Sequence, residues 1–230
     1  MEAIGYQQSC DCEHAKSRPI SLVHAVWQLE KESFYAYFKS LQMVGVKSYS
    51  QCLDYIRSDY YRITGRANDS LLRMWLYSHL DLGLRYMFWH RLANCSNILV
   101  GGAARVVRRR MAEKYHIDIP RTTKIGYGFL LLHGGPVVIN ASAVIGNNVN
   151  FGHFSTVGSL YFHGATIDDE VYIGPSVCIV EGVHIGKGAT IGAGAVVVDD
   201  VPAGATVAGV PARVVSHKEP GRFIWRKWNR

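Results

Sequence analysis

An aliphatic residue returns every six positions through the second half of this 230-residue chain. Ile119, Ile125 and Leu131 open the series. It resumes after an interval of eight at Ile139, Ile145, Phe151 and Val157, and after an interval of ten at Ile167, Ile173, Ile179, Ile185, Ile191, Val197 and Ala203. Four positions after most of these stands a second small or branched residue: Val149, Ser155, Val171, Val177, Val183, Ala189, Ala195 and Val201. An α-helix repeats at 3.6 and a half-buried strand at 2, so neither accounts for the pattern. A six-residue period with glycines at its corners marks a parallel β-helix, in which each hexad forms one flat face of a triangular coil. Three hexads close a coil of about eighteen residues, so the stretch supplies roughly five coils. A single coil cannot bury its own apolar face, whereas a stack can.

The residues before the repeat read as helical. Ser21 is placed to cap a first helix carrying Leu22, Val26, Leu29, Phe34, Tyr37, Phe38 and Leu41, which Gly45 ends. A second helix is expected over 49–63, stopping near Gly65. A third is capped by Asn68 or Asp69 and carries Leu72, Trp75 and Leu76. A fourth begins near Gly83 with Tyr86, Phe88, Trp89 and Leu92, and Gly101-Gly102 weakens its continuation to about 115. Its aromatic stripe reads as helical core, against a lipid-facing or partner-facing surface. The expected class is α+β: a tail over 1–20, a helical domain over 21–115, a β-helix over 116–209 and a C-terminal tail over 210–230. That last segment, aromatic and basic, either folds back over the prism or binds an acceptor.

Charge and cysteine content narrow the setting. The balance of 25 basic and 18 acidic residues gives +7. A basic surface suits a phosphate-rich cofactor, an anionic polymer or a membrane face. No nucleic-acid-binding motif is present. The run from Arg105 to Lys114 reads as a solvated helix face, with inner-leaflet lipid or an anionic acceptor as the alternative. The first residues have no apolar core of an export signal, and no run is apolar enough to span a membrane. Cys10, Cys12, Cys52, Cys95 and Cys178 are therefore expected as free thiols in a bacterial cytoplasm. Cys10-x-Cys12 near His14 lacks the second ligand pair of a metal site, so no metal is expected.

The hexads, with "HIDIPRTTKIGYGFLLLHGGPVVIN" before them and "AGVPARVV" after them, resemble the left-handed β-helix acyltransferases. The resemblance is to their serine acetyltransferase-like branch, and within it to bacterial exopolysaccharide and capsule O-acetyltransferases. It covers about residues 53–217. It implies left-handed coiling, a homotrimer and acetyl-CoA as co-substrate.

O-acyl transfer needs a base for the hydroxyl proton, donors for the thioester oxyanion and a channel for the pantetheine arm. His133 breaks the hexad series, and a polar residue at such a break faces outward. Histidine suits the base, its pKa lying near neutrality. The resemblance places the catalytic histidine at this point, fifteen residues after the aspartate that orients it, which gives Asp118. It also puts the Gly158 and Ser159 amides at the oxyanion or pantetheine. Gly192, Ala193, Gly194, Ala208 and Gly209 would line the CoA arm, with Arg213 and Lys218 at the 3′-phosphate. Two positions depart from the serine acetyltransferase pattern. Leu132 stands where an aspartate holds the serine ammonium, and Phe162 stands where an arginine helps hold the amino acid, while His163 remains. Tyr161 and Phe162 could stack on a sugar ring, His153 is a cleft residue and second choice of base, and Asp59 falls where the helical domain contributes an acceptor-binding aspartate. The reading that follows is an acetyl-CoA-dependent O-acetyltransferase acting on a sugar hydroxyl of a cell-surface polysaccharide or its precursor. The alternatives are serine O-acetylation and a non-catalytic trimeric scaffold.

Overall fold

A computed structural model describes residues 47–160 and 163–229. The N-terminal tail, the helix expected from Ser21, the Cys10/Cys12 pair, Tyr161 and Phe162 lie outside the described residues.

Four helices precede the solenoid: α1 (Tyr49–Thr64), α2 (Leu71–Ser78), α3 (Leu82–Leu92) and α4 (Ile98–Tyr115). Their ends are set by local chemistry. Ser48 and Gln51 form a reciprocal capping box at α1, and Gly65 closes it in the left-handed conformation at φ 73°. The cap of α2 is Ser70, not Asn68 or Asp69. Asp69 instead accepts the Tyr60 hydroxyl at 2.6 Å and pairs with Arg73. Leu72 and Leu76, expected among the apolar positions of α2, are exposed, and Met74 takes the buried place. Asp81 caps α3 through the Leu84 amide and Asn97 caps α4. Tyr86, Phe88 and Leu92 of α3 are buried as core. Arg105, Arg109 and Arg110 face solvent on α4. No helix among the described residues is long and apolar enough to cross a membrane.

Fifteen short strands follow, β1 (Ile117–Asp118) to β15 (Arg213–Ser216). Strands three apart pair in parallel, except that β12 pairs with β14. One face is β1-β4-β7-β10-β13, the second β2-β5-β8-β11, and the third β3-β6-β9-β12-β14, onto which β15 folds antiparallel. The inward residues are those of the hexad series, and their partners four positions on are buried with them. Buried Ser155 is satisfied by donating to the Gly174 carbonyl and accepting from the Val177 amide. One inward position differs from expectation. Ala203 is exposed, and Val201 enters the core opposite Ile185. The last face begins two residues early, and Ala205 and Val207 then complete the coil.

The helices are joined to the first coil by two buried arginines. Arg91 donates to both Asp59 carboxylate oxygens at 2.8 and 3.1 Å, and to the carbonyls of Ile125 and Gly126. Asp59 also accepts the Phe129 amide at 2.9 Å. Arg62 donates to the Gly128 carbonyl, the Asn150 side chain and the Trp225 carbonyl. Burial holds its guanidinium down to about 10. The C-terminal segment folds back over the solenoid, with Trp228 hydrogen-bonded to Asn148 and Lys227 paired to Glu170 at 2.6 Å.

Removing one member of a buried pair leaves the other charge uncompensated, at a cost of about 3–5 kcal/mol. Asp59→Ala should lower the urea-unfolding free energy by that order. The double change Asp59→Leu with Arg91→Met should recover much of it. Equal losses in the single and double variants would show that the carboxylate's charge is not what Arg91 requires.

Candidate active site

The three edges of the prism carry different residues. The edge between the third and first faces contains the turns β3–β4, β6–β7, β9–β10 and β12–β13, and the residues after β14. His133 lies in the first of these turns, His153 in the second, Ala193 and Gly194 in the fourth, and Gly209 after β14. Hydrogen bonds run along this edge from coil to coil: Phe154 N–H to Pro136, Ser176 to His153, Gly194 to Pro175, and Val196 to Gly209. At about 4.8 Å per coil, His133 and Gly209 stand roughly 19 Å apart along one line.

His133 is presented by a lengthened turn. The register of Ile117 with Val137 makes the first coil twenty residues, against eighteen between Thr166 and His184. The two extra residues let the chain bulge, with His133 at φ 62° and Gly134 at φ 51°. The His133 side chain is exposed. Its ring stands edge-on to that of His153, with centroids 5.4 Å apart and planes at 87°. The Nδ1 of His153 is buried and has no hydrogen-bond partner. Helix α3 supports the bulge from below. A Cβ on Gly83 would lie 1.9 Å from the Leu131 carbonyl oxygen, and one on Gly134 would lie 2.4 Å from the Gly83 nitrogen. Only glycine at position 83 lets the first turn of α3 approach this closely. Sequence reading passed over this support. Its only trace is a glycine placed second in a helix.

Asp118 is exposed on β1, in register with Val138 of the strand that follows the His133 turn. No hydrogen bond joins it to His133 among the described residues. Gly158 does not offer a free donor: its amide is committed to the Ile179 carbonyl at 3.0 Å, as a strand end in a parallel ladder must be. Ser159 and His163 sit on a different edge, between the first and second faces, where the Ser159 hydroxyl accepts the His163 amide. His163 is exposed.

Asp59 is neither an acceptor ligand nor an exposed carboxylate. It is buried at the remaining edge, between the second and third faces, where Arg91 and the Phe129 amide consume it. Among the proposed cofactor residues, Ala193 and Gly194 are exposed, and a Cβ on Gly194 would meet nothing within 4 Å. The Gly192 amide is committed to Val207. Ala208 ends β14, in register with Arg213 of β15. Arg213 pairs with Asp199 at 3.1 Å, both largely exposed, so the guanidinium is easily redirected. Lys218 is exposed, its amide held by the Ser216 hydroxyl. Cys52, Cys95 and Cys178 are free thiols. Burial, with Cys95 beside it, pushes the Cys52 thiol up to about 12.

Residues 164–199 match the bacterial transferase hexapeptide (six repeats) family. Over 120 residues the chain is 40% identical to the mitochondrial serine acetyltransferase 3 of Arabidopsis thaliana, a match covering 50% of this chain and 31% of that protein. The fold is similar to Neisseria gonorrhoeae serine acetyltransferase in complex with serine, with TM-score 0.59 and 29% identity, covering 86% and 78% of the two chains. It is similar also to the soybean serine acetyltransferase apoenzyme, with TM-score 0.60 and 30% identity over 80% and 74%. The chain spans less than half the length of the curated relatives it matches, 31% to 41%. These relatives overturn the polysaccharide reading of the sequence. That reading rested on uncharged residues at Leu132 and Phe162, whereas the proteins similar to this chain are serine acetyltransferases.

A methyl group at position 83 must displace either α3 or the Leu131 carbonyl, and overpacking of this kind costs about 1–3 kcal/mol. Gly83→Ala should lower the unfolding free energy by that much in urea. An unchanged midpoint would mean that α3 does not rest on the His133 turn.

Proposed function

The chain belongs to the hexapeptide-repeat acyltransferases, and on that premise we propose that it is a serine O-acetyltransferase with acetyl-CoA as donor. The observation that carries the reading is His133. It is exposed on a bulged, left-handed turn at the head of the edge that also bears Gly194 and Gly209. A thin pantetheine arm can run along this edge past the small residues Ala193, Gly194 and Gly209, bringing its thioester to the histidine.

In the proposed reaction a ring nitrogen of His133 takes the proton of the serine hydroxyl. The hydroxyl oxygen attacks the thioester carbonyl, the carbon–sulfur bond breaks, and the CoA thiolate leaves. The imidazolium returns its proton to that sulfur. General-base catalysis of this kind contributes about 10²–10⁴-fold. Asp118 stabilises the imidazolium from the neighbouring strand. With Gly158 engaged in the ladder, the oxyanion donors come from elsewhere, and Ser159 stays a candidate. Arg213, released from Asp199, and Lys218 meet the CoA phosphates.

Ser159 and His163 support a trimer. Within one chain they stand on another edge of the prism from His133. They can face a His133 only across the groove between two neighbouring prisms.

The deciding experiment follows free-thiol release from acetyl-CoA with L-serine as acceptor. His133→Ala should lower kcat/KM by about 10²-fold or more, with acetyl-CoA binding retained by calorimetry. Asp118→Asn should cost less. Near-native turnover in His133→Ala would move the base to His153. No turnover of serine by the wild-type chain would reject the substrate.

Sedimentation velocity should show a trimer or a multiple of one. An active monomer would remove the role of the second edge.

A further inference from the structure

A cavity of about 290 Å³ lies where the chain entering α1, the last turn of α3 and the β1–β2 turn meet. It is on the edge between the first and second faces, in the first coil and below the Ser159–His163 turn of that edge, and it includes none of the residues assigned above to acetyl transfer. Its walls carry Lys47, Arg91, Arg121 and Lys124, and no carboxylate lines it.

Arg91 is fully engaged by Asp59 and two carbonyls. The other three cations are not: among the described residues, none of Lys47, Arg121 and Lys124 has an ion-pair partner. The Lys47 ammonium rests instead on the Tyr55 ring, 3.6 Å from its centre. Burial, and then the nearby Arg91, hold that ammonium down to about 8. Burial, with Arg105 and Arg108, also lowers the Arg121 guanidinium. Lys47 and Arg121 are thus held partly out of water beside other cations, an arrangement that a bound anion relieves. The side chain of His90, 1% exposed, forms part of the wall, and its Nδ1 has no hydrogen-bond partner. A buried polar atom without a partner implies something that satisfies it.

We propose that this pocket binds a small tetrahedral oxyanion, inorganic phosphate or sulfate, between Lys47 and Arg121. The charge pattern selects this class. A zwitterionic amino acid would bring an ammonium to a wall that has three free cations and no carboxylate to receive it. A tetrahedral dianion presents oxygens in several directions and suits cations that converge from different elements.

The test is calorimetry on the full chain, freed of phosphate and sulfate and held in a chloride buffer. Phosphate and sulfate are titrated separately, which decides between the two sources. Binding with Kd of about 1 mM or tighter is expected for at least one. At ten times Kd the same anion should raise Tm by roughly 3–6 °C. Lys47→Met with Arg121→Met should weaken binding at least about tenfold. Arg109→Met, on the exposed face of α4, should leave it unchanged. Should the double variant not fold, Lys124→Met, at an exposed wall position, is expected to weaken binding about threefold. No heat and no Tm shift at 20-fold that concentration would overturn the proposal. So would equal weakening by Arg109→Met, which would mean diffuse surface attraction. Competition by L-serine would overturn it too, by assigning the pocket to the acceptor.

Discussion

The Asp59–Arg91 pair is the joint on which the arrangement of this protein depends. A solenoid coil stacks on its neighbours through strands and aliphatic side chains, but its first coil has no coil before it. Here α1, α3 and α4 cover that end. Apolar packing alone would not fix their register, because the stacked isoleucines offer a nearly uniform surface. The buried pair does. Arg91 reaches two consecutive carbonyls of the β2–β3 turn while Asp59 receives an amide from the same turn. A buried ion pair is weak evidence of stability, and its best-attested role is to specify one geometry. That role fits here, because α3 carries Arg91 near its end and seats Gly83 beneath the His133 turn at its start. Fixing one end of a rigid helix of eleven residues fixes the other.

The prism separates tasks by edge. One edge carries His133, His153 and the small residues of the proposed cofactor track. A second carries Asp59, the asparagine–aspartate corner in which Asn147 binds Asp169, and the C-terminal segment. The third carries the basic pocket and the Ser159–His163 loop. The second edge is closed by intrachain contacts and is structural. The other two are left open among the described residues, which is what the proposed reaction in a groove between prisms requires.

Much of this was legible in the sequence because the repeat is a geometric statement. A six-residue period with small partners four positions on fixes which side chains point inward, and nearly all of them do. The helix ends at Ser48 and Gly65 follow from capping chemistry alone. Edge residues were less legible, since a hexad says which residues leave the core but not what they then meet. Asp59 shows the limit. A lone carboxylate in a helix reads as exposed or functional, and nothing local announces that Arg91, 32 residues later, will bury it. Gly158 fails for a related reason. A glycine beside a strand looks available, but the ladder claims its amide. The polysaccharide reading took absent charges at two positions to exclude serine, although a site can take its polar groups from other edges and from another chain.

The departures from the period mark the residues of the proposed site better than the period itself. Eighteen residues close a coil with every corner tight, as between Cys178 and Val196. The twenty-residue coil spends its excess at His133, where non-glycine backbone in the left-handed region is held by the helix below. The coil joining Val144 to Thr166 is twenty-two residues long and places its excess in the Ser159–His163 loop. The coil joining Ile185 to Val201 is only sixteen and ends the stack, after which β15 turns back. A lengthened corner gives up some packing to project a side chain, so it persists only where the projection has a use or the strain is offset nearby. At His133 α3 supplies the support, and the proposed reaction supplies a use, since the imidazole heads the edge along which a thioester could approach.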